Sequence, residues 1–243
     1  MATTAAVFFD VDFTLIHPGP RFQGTGYEAC CARHGVQVDA SRFDEAVAGA
    51  ASVLDSADVV YDADLYVKYT RRIIELMGGS SPAVETVARE LYDDWAEHHH
   101  FSLYDDVVET LERLRTMGIR AGLISNSHRC LASFQSHFEL DGLIAVAVSS
   151  SEQGYMKPHP NIFRAALSLM QVEPEAAAMV GDSLSHDIEG ARRVGMRGIL
   201  LARASAPAGI DKIDVIRTLL ELPGRIVTRS PRRPGELPSR EHV

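Results

Sequence analysis

From Ala5 to Phe9 every position is apolar, and then two carboxylates arrive, Asp10 and Asp12. An apolar run without polar alternation predicts a strand buried on both faces. A turn-rich connector, HPGPRFQGTG (17–26), follows. From about Phe22 to about His100 the period becomes helical, and no strand is expected there. Leu65, Tyr69, Ile73 and Leu76 share one helix face, and Val84, Val87, Ala88, Leu91, Tyr92 and Trp95 share another. GGSSP (78–82) is the turn between them.

Beyond Ser102 the pattern alternates. Val107, Val108, Leu111, Leu114 and Met117 form a helix stripe that Gly118 can cap. IRAGLIS (119–125), LIAVAVS (143–149), AAAMVGD (176–182) and RGILL (197–201) read as strands, and PHPNIFRAALSLM (158–170) as a helix with proline in its first turn. Strands alternating with helices predict an α/β fold: a Rossmann-like parallel sheet covered on both faces. The first strand is cut off from the others by the helical stretch, which therefore reads as an insertion. The expected division is residues 1–16 and 103–227 as the α/β core and 17–102 as an all-helical unit. Residues 228–243, rich in proline and arginine, are expected to be a disordered tail.

Composition narrows the function classes. The 243 residues are 46% hydrophobic, enough for a real core. A net charge of -9 argues against a nucleic acid or an anionic membrane as partner and suits a cation-requiring acidic site. The three cysteines, Cys30, Cys31 and Cys130, are no disulfide framework and fit a reducing, cytoplasmic setting. Asp10 interrupts the first apolar run too early for a signal peptide, and no window has the length to span a bilayer.

The polar residues at strand ends carry the chemistry. In an open parallel sheet, ligands bind beyond the carboxyl ends of the strands. There the pattern gathers Asp10, Asp12 and Thr14, then Ser125 and Asn126, then Asp182, with Lys157 in the loop after the 143–149 strand. Three carboxylates brought together repel one another unless a cation intervenes. Oxygen-only donors suit a hard ion, Mg²⁺ above all.

These residues resemble a known family. FDVDFTL resembles the DxDxT signature of the haloacid dehalogenase (HAD) superfamily. LISNS, GYMKPHP and GDSLSHD resemble its second, third and fourth motifs, in order. The resemblance covers about residues 1–16 and 103–204. It implies Asp10 as a nucleophile that forms an aspartyl-phosphate. It implies Asp12 as general acid and then base, with its backbone carbonyl on the metal. Ser125 and Lys157 would hold the phosphoryl group, with Thr14 and Asn126 as further substrate contacts. Asp10, Asp12 and Asp182 would bind Mg²⁺, and Asp187 would act behind them on the metal's water or on Lys157. The helical insertion corresponds to a C1-type cap, with hinges near His17–Gln23 and Phe101–Asp105.

Asp12 separates reactions within the superfamily, because an alkoxide leaving group needs a proton donor and a halide does not. The expected activity is a Mg²⁺-dependent phosphatase acting on a small phosphorylated metabolite, the protein being a monomer or homodimer. A sugar phosphomutase and a catalytically silent binding protein are the alternatives. Phe13 departs from the pattern, since many relatives carry glycine there. His17, Arg21, Lys68, Arg71 and Arg72 are polar and in or near the cap, with nothing to rank them. Tyr92 and Trp95 fit the cap interior better than a substrate box. His98, His99 and His100 make a poor chelate, because neighbours on a helix point apart.

Overall fold

A computed structural model describes residues 4–55, 60–204 and 213–226. The expected tail, 228–243, lies outside the described residues. Six strands form one parallel sheet, in the order β5-β4-β1-β6-β7-β8. They are β1 (Ala6–Phe9), β4 (Arg120–Ser125), β5 (Ile144–Ser149), β6 (Ala177–Gly181), β7 (Arg197–Leu201) and β8 (Asp214–Ile216). β1 sits between β4 and β6, so Phe9 pairs with Leu123 on one side and Val180 on the other. That central place is why β1 is apolar on both faces. Val7 and Phe9 enter one hydrophobic cluster, Ala6 and Phe8 the other.

Two further strands, β2 (Ile16–Pro18) and β3 (Phe101–Leu103), pair antiparallel as a separate ribbon. The connectors read from sequence as hinges thus contain strand structure. Between them run α1 (Gly24–Arg33), α2 (Phe43–Ala50), α3 (Ser52–Asp55), α4 (Ala63–Leu76) and α5 (Val84–Asp94). The rest of the chain adds α6 (Val107–Thr116), α7 (Leu131–His137), α8 (Ser150–Gln153), α9 (Pro160–Met170), α10 (Gly190–Arg193) and α11 (Leu222–Arg225). Residues of α9 and α10 pack on the sheet face that carries Ala6 and Phe8. Residues of α6, α7 and α11 pack on the other, in a cluster that continues through Phe22 and Phe101 into the helical segment. α6 ends where its sequence says it should, with Gly118 at φ +74°.

Candidate active site

The loop after β1 carries the first two carboxylates. Asp10 is 7% exposed and its backbone N–H donates to Val180, which ties the loop to the end of β6. Lys157 is buried as well, and its Nζ donates to Asp10 Oδ1 at 2.5 Å and to Asp187 Oδ1 at 2.7 Å. Burial alone would lower the Lys157 ammonium, but Asp10 and Asp187 outweigh it and raise it, so the lysine stays charged. Burial pushes Asp10 up, and Asp187, Asp182 and Asp12 push the same way against Lys157.

Asp182 follows β6 and keeps an open face to solvent. The atoms packed around its carboxyl, and Asp187, push it up to about 6. The carboxylates of Asp10, Asp182 and Asp187 offer oxygens within 4.8 Å of one another. One ammonium against three carboxylates leaves negative charge in surplus, so the donor set fits a hard dication. Gly181 explains the glycine of the fourth motif: a Cβ there would lie 2.2 Å from Asp187 Oδ2. Asp187 is further fixed by the Ser183 backbone N–H at 3.0 Å, and Ser183 caps the turn over 184–189.

The other expected residues divide. Asn126 lines the site, but both ends of its amide are used on the backbone of Lys157. Nδ2 donates to the Lys157 carbonyl at 2.9 Å, and Oδ1 accepts from its N–H at 2.7 Å. These bonds hold the backbone of Lys157 in place, while Asn126 also stands on the cavity wall. Ser125 closes β4, fully buried, with its hydroxyl donating to Ser127 at 3.0 Å. Thr14 was expected to touch substrate. It is fully buried and absent from the cavity wall, and its hydroxyl has no partner among the described residues. The Asp12 side chain is outside the acidic cluster and is engaged by Arg129 instead.

Arg129 is the residue that sequence reasoning missed. Its side chain is fully buried. Nη1 donates to Asp12 Oδ1 at 3.0 Å, Nη2 donates to the Trp95 carbonyl at 2.7 Å, and the guanidinium lies 4.5 Å from the centre of the Phe101 ring. One side chain thus ties Asp12 to the segment returning from the helices. The available signal was its place three residues beyond Asn126, in the loop after a strand that ends at the site.

A cavity of about 710 Å³ opens over Asp12 and Lys157. Tyr92 and Trp95 pack against the apolar cluster of the helical segment, as expected, and also line this cavity. Phe13 lines it too, at φ +63°, in the left-handed region that favours glycine. None of His17, Arg21, Lys68, Arg71 and Arg72 is on its wall.

Residues 4–195 match the haloacid dehalogenase-like hydrolase family. The chain belongs to that family. Over 131 residues it is 34% identical to human haloacid dehalogenase-like hydrolase domain-containing protein 3, covering 54% of this chain and 51% of that protein. It is 31% identical over 144 residues to a phosphoserine phosphatase of Thermus thermophilus, covering 56% and 54% respectively. It therefore spans about half the length of these curated relatives. A HAD phosphatase of Thermococcus onnurineus superposes with a TM-score of 0.65 at 26% identity, covering 91% of this chain and 97% of that one. The HAD membership read from the four motifs is borne out, as is the parallel α/β fold. Among the described residues, no helix is long and apolar enough to cross a membrane.

Proposed function

We propose that this HAD hydrolase is a Mg²⁺-dependent phosphatase that cleaves a phosphomonoester through Asp10. The observation that carries the reading is the Lys157 ammonium 2.5 Å from Asp10 within a cluster of three carboxylates. Phosphatases among its relatives support it. Asp10 and Asp182 would hold the ion with the Asp12 backbone carbonyl, and Asp187 would stand behind them. When bound, the ion would offset negative charge on the phosphate and the nucleophile.

The chain's own residues perform the steps. An Asp10 oxygen attacks phosphorus, the bond to the leaving oxygen breaks, and Asp12 gives that oxygen a proton. Asp12 then takes a proton from water, whose oxygen attacks the aspartyl-phosphate. The bond to Asp10 breaks, and inorganic phosphate leaves. Throughout, Lys157 neutralises charge next to Asp10, held there by Asp187 on one side and Asn126 on the other. The test is hydrolysis of an aryl phosphate with and without Mg²⁺. The wild type should turn over only with the ion, and Asp10→Asn should fall to background. Turnover that survives Asp10→Asn would refute the nucleophile.

A further inference from the structure

The cavity above Asp12 and Lys157 is large, aromatic and almost uncharged. Phe22, Tyr27, Tyr66, Tyr69, Tyr92 and Trp95 face it, with aliphatic side chains such as Leu65 and Ile73 between them. Its volume of about 710 Å³ lies in the range of sites that enclose a drug-sized molecule. Burial raises the phenols of Tyr27, Tyr66 and Tyr92, so these rings carry no charge at working pH.

Charge is scarce on this wall. Among the described lining residues the ionisable side chains besides the tyrosines are Asp12, Lys157, His128 and His186, and Lys157 is already bound to Asp10 and Asp187. No arginine of the cap is on this wall, nor is Lys68, and five of the cap's arginines are engaged elsewhere. Arg21 pairs with Asp94 and Glu90, Arg33 with Glu90, Arg71 with Glu75 and Glu85, Arg72 with Glu75, and Arg89 with Asp64. A carboxylate or second phosphate on the leaving group would therefore meet no free lysine or arginine among the described lining residues, and burying such a charge unpaired is costly. Neutral polar side chains also reach the wall, Gln23, Thr70, Ser127 and Ser185 among them. The hydroxyls of Tyr61 and Tyr92 bond each other at 2.6 Å, and Tyr66 donates to the Asn126 carbonyl at 3.4 Å. A bare polar atom remains at His128, whose Nε2 has no partner among the described residues. Burial and then Arg129 hold its pKa down, and its ring stacks on Tyr92 at 4.0 Å.

We infer that the substrate is a phosphomonoester whose leaving group is bulky, uncharged and aromatic in character, with no second anion. This rests on the phosphatase reading and deepens it. It separates the chain from phosphatases of amino-acid or carboxylic-acid phosphates, and from a mutase, which must hold a second phosphate.

The test pairs binding with turnover, so that the two readings fail separately. Calorimetry with Mg²⁺ present would compare 2-naphthylmethylphosphonate with its 6-carboxylate and with the phosphonate analogue of phosphoserine. The neutral naphthyl compound should bind at least about tenfold more tightly than either, in keeping with the discrimination apolar pockets achieve. In turnover, 2-(2-naphthyl)ethyl phosphate should exceed phosphoserine and glucose 6-phosphate in kcat/KM by a similar factor. All three leave as alkoxides, so the comparison reads the pocket. Equal or tighter binding of the carboxylate, or no binding of the naphthyl compound, would overturn the inference. The expected binding order with no turnover of any ester would retain the cavity assignment and sink the phosphatase reading. Leu65→Arg, which puts a cation on the wall, should narrow the gap between the naphthyl phosphonate and its carboxylate. A gap that stays unchanged in a folded variant would count against the role of charge.

Discussion

At the scale of single residues, the site is built by side chains that hold other side chains. Asn126 fixes the backbone of Lys157, Gly181 makes room for Asp187, and Arg129 grips Asp12. Arg129 is a positioning residue, and its effect should depend on how much the leaving group needs a proton. Arg129→Met leaves Asp12 without its partner, so hydrolysis of an alkyl phosphate should lose about 10²-fold in kcat, within the range general-acid catalysis supplies. A nitrophenyl phosphate, whose leaving group departs unaided, should lose far less, and Arg129→Lys should recover part of the alkyl rate. Equal losses on both esters would mean that the arginine is merely structural. The acids, Ser125 and Lys157 were legible because each ends a strand or follows one within a recognisable motif. Arg129 and the bonds of Asn126 to the Lys157 backbone were not, because both depend on which backbone carbonyl or amide lies opposite, and no periodicity records that. Phe13 was legible as a departure, but only its φ of +63° shows what the departure means for the backbone.

Among the elements, the long periodic ones could be read and the short ones could not. α4, α5, α6 and α9 have clear stripes, and β1, β4, β5, β6 and β7 are apolar runs between turns. The ribbon of β2 and β3 and the edge strand β8 are three residues each, too short to establish a period, and β2 ends in a proline. The helical segment also contains an ion cluster that spacing does not reveal. Glu90 on α5 accepts from His34 at 2.7 Å and Arg21 at 3.0 Å, and from Arg33 and the Cys30 thiol as well. Burial would raise this carboxyl, but bonds from His34, Cys30, Arg21 and Arg33 outweigh it and hold it at about 2. A carboxyl depressed in the folded state adds stability above its unfolded pKa, near 4.3, and loses it as pH falls toward 2. Urea unfolding at pH 6 should show Glu90→Gln less stable than the wild type by about 1 kcal/mol, a modest figure because the partly exposed cluster is screened. At pH 2 the gap should have largely closed. A gap independent of pH would mean that the cluster is not the source of the difference.

For the whole molecule, the question is whether the helical segment and the sheet are separate units or one. Sequence pattern alone favours two, because the period changes abruptly near Phe22 and again near Ser102. Packing argues otherwise. One apolar cluster runs from Val7 and Phe9 on the sheet, through Phe22 and Phe101 at the ribbon, to Ile73 and Leu91 on the helices. Arg129 bonds the Trp95 carbonyl from the α/β side, and the Tyr61 N–H donates to the Gly154 carbonyl across the same boundary. Burying those groups together couples the two parts, and cooperative unfolding is the consequence. Trp95 is the only tryptophan in the chain and stands at this junction, with its ring 4.5 Å from that of Phe22 and 5.0 Å from that of Phe101. Its fluorescence therefore reports the boundary, while far-UV circular dichroism reports all the helices and strands. Under urea the two signals should change along one curve with one midpoint. A fluorescence transition that comes first would show that the helical segment undocks before the sheet melts. In that case the shared cluster stabilises each part more than it joins them, and Phe22→Ala should lower the fluorescence midpoint while leaving the circular-dichroism midpoint in place.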